Sequence, residues 1–81
     1  MVVSVQFFGA QRALTKISEI QIPLTENGRV SDVFGFIRNC YPDLALNEAG
    51  VLVTVNDKAS DMNHVLKPDD NITFLPHVGG G

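Results

Sequence analysis

The sequence predicts an α+β domain, a mixed sheet packed on one main helix. Three observations predict it. Apolar residues alternate with period two near both ends of the chain and again in its second half. One stretch in between repeats its apolar residues at helical spacing. The resulting order is strand, strand, helix, strand, short strand, strand.

From Val2 to Phe8, Val3, Val5 and Phe7 face one way and Ser4 and Gln6 the other, as in a half-buried strand. Gly9-Ala10 ends it, and the next ten or so residues read as a long hairpin loop. In the second strand Ile20, Ile22 and Leu24 alternate with Glu19, Gln21 and Pro23. Pro23 has no N–H for a ladder bond, so it belongs at a strand end or a sheet edge. Glu26-Asn27-Gly28 signals a turn. Val30, Val33, Phe34, Ile37 and Tyr41 then fall on one helical face. Arg29 or Ser31 sits where the cap belongs, and Ser31 is the better capping side chain. Asp32 suits the positive end of the helix dipole, and Pro42 stops the helix. Val51 to Asn56 is apolar on both faces, which marks an interior strand. Asn56-Asp57 turns the chain into a short strand near Lys58-Ala59. Asp61 to Leu66 reads as irregular or as one helical turn. Lys67-Pro68-Asp69-Asp70 is a turn, and Ile72 to Leu75 is the last strand, closed by Pro76. This is the order of the ubiquitin-like β-grasp fold, with residues 1–75 as the domain and 76–81 as a flexible glycine-rich tail. Other α+β arrangements share that order.

Composition narrows the function classes. The chain has 81 residues, a net charge of −3, 44% hydrophobic and 19% charged residues, which suits one small globular domain. Six basic residues in all give no clustered face for phosphates, so a nucleic-acid partner is not expected. No apolar run approaches the ~20 residues of a membrane span, and the N-terminus lacks a signal-peptide pattern. A cytoplasmic protein is expected. One cysteine allows no internal disulfide and no cysteine-based metal cage, and His64 and His77 stand alone. Asp69-Asp70 lacks the flanking ligands of a calcium loop, so no metal site is expected. Cys40 lies late in the helix beside its apolar face and reads as a small buried residue rather than a nucleophile. Phe7 and Phe8 point to opposite faces of their strand; if Phe7 is core, Phe8 is exposed or covered by a partner.

The chemistry concentrates at the C-terminus, Pro76-His77-Val78-Gly79-Gly80-Gly81. Six extended residues reach up to roughly 20 Å. Glycines carry no Cβ, so the tip can thread a narrow channel, though ordering it costs entropy. The functional group it offers is the α-carboxylate of Gly81. A carboxylate is a poor electrophile until activated, for example as an acyl-adenylate, after which sulfur or nitrogen can attack it. A frayed, idle end is the plain alternative.

Phe7-Phe8-Gly9-Ala10-Gln11-Arg12, Val30-Ser31-Asp32-Val33, Tyr41-Pro42-Asp43-Leu44, Val55-Asn56-Asp57, Leu66-Lys67-Pro68-Asp69-Asp70 and Leu75-Pro76-His77-Val78-Gly79-Gly80-Gly81 together resemble the small subunits of molybdopterin synthase and their sulfur-carrier relatives. The resemblance implies that an E1-like enzyme spends ATP to adenylate Gly81 and converts it to a thiocarboxylate. It implies that the tail enters the large synthase subunit and donates sulfur to a pyranopterin precursor, with no cofactor bound to this chain. Gly79 and Gly80 become the slender approach. Phe8 and Leu75 match apolar docking positions, Arg12 a basic one, and Pro76, His77 and Val78 lead into the tail. Ala59 stands where the docking patch usually carries a larger apolar residue. His77 replaces a common proline, Gly79 a small side chain, and Asp69 the usual turn glycine. A carrier for thiamine thiazole or cysteine, a ubiquitin-like modifier of lysines, and a plain interaction domain remain as alternatives.

Overall fold

The computed structural model describes residues 1–44 and 46–76. β1 (Val2–Gln6) pairs antiparallel with β2 (Glu19–Pro23), Val3 opposite Ile22 and Val5 opposite Ile20. Between them lies α1 (Gly9–Thr15), where the sequence predicted a loop. The helix is short, its N-cap Phe8 makes no side-chain cap, and its one buried residue is Gln11. It therefore lacks both the apolar stripe and the capping signal by which a helix is read from sequence.

α2 (Val30–Cys40) buries the predicted face, Val30, Val33, Phe34 and Ile37. Its N-cap is Arg29, not Ser31. The Asp32 carboxylate accepts from the Arg29 N–H at 2.9 Å. The first free helix N–H groups go to a distant loop: Val30 donates to the His64 carbonyl at 3.1 Å and Ser31 to that of Met62 at 3.0 Å. Backbone carbonyls thus do what the Ser31 hydroxyl was expected to do. At the other end Tyr41, half-buried, continues the apolar stripe four residues after Ile37. Cys40 lies on the flank of that stripe and is exposed, which corrects the expectation of a buried thiol. Pro42–Leu44 and Glu48–Gly50 form single 3₁₀ turns.

β3 (Val51–Val55), β4 (Lys58–Ser60) and β5 (Asn71–Pro76) complete a five-stranded sheet of order β2-β1-β5-β3-β4. β1 and β5 run parallel in its centre, and the other pairs are antiparallel. Pro23 ends an edge strand and β3 is interior, as their sequences require. β5 runs through Pro76, the residue at which the tail was expected to begin.

The β3–β4 turn places Asn56 (φ 52°) and Asp57 (φ 69°) in the left-handed region, the geometry of a two-residue hairpin that Asn and Asp tolerate. Asp69, where the resemblance expects glycine, also has positive φ (68°). Asp70 is buried; its carboxylate accepts from the Asn56 amide at 2.9 Å and the Lys67 N–H at 2.8 Å, pinning the two turns together. Residues 61–66 form turns, with Val65 bridged to Arg29, rather than a helical turn.

One face of the sheet carries Val3, Val5, Ile22, Val53, Val55, Ile72 and Phe74 into a continuous core with α2. Phe34 meets Phe74 edge-to-face at 5.3 Å, and Phe7 meets Tyr41 at 5.6 Å. Each buried aromatic of this kind contributes about 1.5–3 kcal/mol through burial. This is the ubiquitin-like β-grasp. Among the described residues no helix is long and apolar enough to cross a membrane.

Candidate functional site

The face of the sheet opposite α2 follows from the alternation. Gln6, Thr73, Thr54 and Ala59 form one row across β1, β5, β3 and β4. Leu75 and Leu52 form the next row, directly opposite each other. On the other flank of β5, β1 ends at Gln6 opposite Thr73, and Phe8 follows two residues later. Phe8 is 53% exposed and Leu52 54%, while Leu75 is half-buried. Among the described residues, nothing covers Phe8 and Leu52 at this end of β5.

Phe7 and Phe8 divide as the strand geometry demands. Phe7 is 2% exposed in the core, and Phe8 stands on the outer face. Immediately after Phe8 the chain enters α1, which presents Arg12 as an exposed cation. α1 is tied to the tail strand by the Gln11 side chain. Its amide donates to the Phe74 carbonyl at 2.6 Å, and Gln11 is only 6% exposed. Beyond the Gln6–Thr73 pair β1 has ended, so this side-chain amide takes the place of a strand partner.

Of the residues the sequence singled out, Leu75 lies near the end of β5, and Phe8 and Arg12 lie at the start of α1, which Gln11 ties to Phe74. Ala59 is exposed on β4, one row further from that end, and contributes little more than a methyl group to the same face. Pro76 is the last residue of β5, opposite Val51. His77, Val78, Gly79, Gly80 and Gly81 lie outside the described residues. Two participants went unread. Leu52 was taken as part of an interior strand apolar on both faces, yet that second apolar face is what signals an uncovered patch. Gln11 carries no signal in its local sequence, because its partner lies 63 residues away. Among the described residues no group of three or more His, Cys, Asp or Glu side chains is placed to hold a metal ion.

A β-grasp globule with exposed apolar side chains near the end of its last strand defines a class, the small ubiquitin-like proteins. Residues 5–81 match the ThiS family model, and the chain belongs to this family of β-grasp sulfur carriers. No curated protein matches the sequence at a significant level. Solved structures do. The chain is similar to a protein described as molybdopterin converting factor subunit 1 from Pyrococcus furiosus, with 26% identity, TM-score 0.80, and 95% of this chain and 98% of that one covered. It is similar over 100% of both chains, at 27% identity and TM-score 0.69, to one in the complex of subunits 1 and 2 of the molybdopterin-converting factor from Helicobacter pylori. The small archaeal modifier SAMP1 from Haloferax volcanii shares the fold at TM-score 0.81, with 15% identity and 100% of both chains covered.

Proposed function

We propose that this chain is the sulfur-donating small subunit of a molybdopterin synthase. The observation that carries the reading is the apolar pair of exposed Leu52 and half-buried Leu75, with exposed Phe8 nearby, at the end of the last strand. Such a patch is suited to dock a partner while leaving the last residues free to enter its pocket. The full-length likeness to a chain of a subunit 1–subunit 2 complex supports a large-subunit partner of the same kind.

The chemistry runs in three steps. An E1-like enzyme joins the Gly81 carboxylate to the α-phosphate of ATP, releasing pyrophosphate and making the acyl carbon electrophilic. A sulfur nucleophile displaces AMP and leaves a thiocarboxylate. In the large subunit the thiocarboxylate sulfur attacks an electrophilic carbon of the pyranopterin precursor and an oxygen leaving group departs from that carbon; water then cleaves the acyl–sulfur bond, leaving the sulfur on the pterin and regenerating the carboxylate. Gly79 and Gly80 let the backbone approach closely. Phe8, Leu75 and Leu52 supply apolar docking area, and Arg12 offers a cation to an acidic group of the partner.

The test is intact mass after incubation with the activating enzyme, ATP and a sulfur donor. The expected gain is the mass difference between one sulfur and one oxygen atom. A chain lacking Gly81 stays folded and shows no gain; equal behaviour of the two proteins refutes the carrier chemistry. Capture of the large synthase subunit favours the molybdopterin pathway. Sulfur delivered instead to thiazole or cysteine synthesis, or Gly81 found linked to lysines, would redirect the assignment.

A further inference from the structure

We propose that Gln11 is a positioning residue, whose side chain locks α1 to the end of β5 so that the two halves of the docking face move as one body. The proposal deepens the reading above and rests on it for the docking half of its test. Phe8 and Arg12 are carried by the start of α1, whereas Leu75 and the tail are carried by β5. Pairing between β1 and β5 stops at Gln6 and Thr73, so no strand ladder connects these halves.

α1 has little stability of its own. It spans seven residues, far below the length at which an isolated helix holds in water. Its N-cap offers no side-chain acceptor. Its C-cap is Lys16 at φ 64°, a left-handed conformation that is unfavourable for a side chain bearing a Cβ. Its apolar residue Leu14 is exposed, as is Ile17 just beyond it. The one residue it buries is Gln11, and that residue spends its amide on the Phe74 carbonyl at 2.6 Å. α1 also packs against the Pro42–Leu44 turn, but its anchor on β5 is this polar residue, whose geometry fixes both distance and direction in a way a greasy contact does not. Loss of the bond also leaves a buried carbonyl without a donor, which favours opening of the α1–β5 contact.

Gln11→Leu keeps the approximate volume and removes the donor; Gln11→Met does so with a more adaptable side chain and serves if the leucine variant fails to fold. Hydrogen exchange of the free protein is the first measurement. The expected result is that amides of residues 12–16 exchange about tenfold faster, the equivalent of one lost hydrogen bond, while β1, β3 and β5 core amides keep their protection. The second measurement is affinity for the large synthase subunit, expected to fall about tenfold with the mature tail still chargeable. Unchanged α1 exchange, or a uniform loss of protection across the whole domain, would overturn the positioning role by making Gln11 an ordinary packing residue. Faster α1 exchange with unchanged affinity would overturn the coupling to docking. If the wild-type protein itself fails to bind the large subunit, the functional reading falls while the exchange result still decides the role of Gln11 in the fold.

Discussion

Phe7 and Phe8 offer the sharpest separation of folding from docking, because they are neighbours in sequence and opposites in environment. Phe7 is 2% exposed and packs on Tyr41, so Phe7→Ala is expected to cost about 3–5 kcal/mol of stability. A domain of this size holds on the order of 4–12 kcal/mol in all, so that variant is expected to be marginal. Phe8 is 53% exposed. About half of its ~200 Å² side chain remains for a partner to cover, which at ~25 cal/mol per Å² is worth roughly 2.5 kcal/mol. After the cost of immobilising the contact, Phe8→Ala is expected to weaken docking by about 2 kcal/mol, roughly thirtyfold. Its unfolding midpoint is expected to shift by no more than ~0.5 kcal/mol equivalent. Urea unfolding and calorimetric titration with the large synthase subunit measure the two effects separately. A Phe8→Ala protein that loses several kcal/mol of stability and binds with unaltered Kd would refute the division of labour drawn from the strand geometry.

Two further substitutions test the turns that hold the sheet. Asp70→Ala removes the acceptor shared by the Asn56 amide and the Lys67 N–H, and is expected to cost about 1–3 kcal/mol in chemical denaturation. Gly28→Ala puts a Cβ into the Leu24 side chain and 3.0 Å from the Thr25 carbonyl, so its melting temperature is expected to fall by the equivalent of about 1–3 kcal/mol.

The parts of the fold readable from sequence are those with a local pattern. Val3, Val5 and Phe7, or Val30, Val33, Phe34 and Ile37, announce which face is buried because burial repeats with the period of the element. α1 could not be read this way, since its one buried side chain is a glutamine whose acceptor belongs to the last strand, and its other neighbour is the distant Pro42–Leu44 turn. The cap of α2 was misplaced for the same reason, its donors being satisfied by carbonyls of residues 62 and 64. Cys40 was misjudged because nearness to an apolar stripe is not membership of it; Tyr41 takes the inward position. At the site, Phe8, Arg12 and Leu75 were singled out through the resemblance; Phe8 and Arg12 lie at the start of α1 and Leu75 on β5. Leu52 was missed because an apolar residue on the second face of an interior strand looks like core, whereas its side chain is 54% exposed among the described residues.

The parallel pairing of β1 with β5 has a consequence for biosynthesis. The middle of the sheet stays vacant until translation has passed residue 76, since β5, the last of the described strands in chain order, is the one that fills it. A prematurely released chain therefore exposes two open edges and is fit for proteolysis, not for occupying a partner. Quality control is built into the topology: a copy whose sheet is closed has already been synthesised through residue 76.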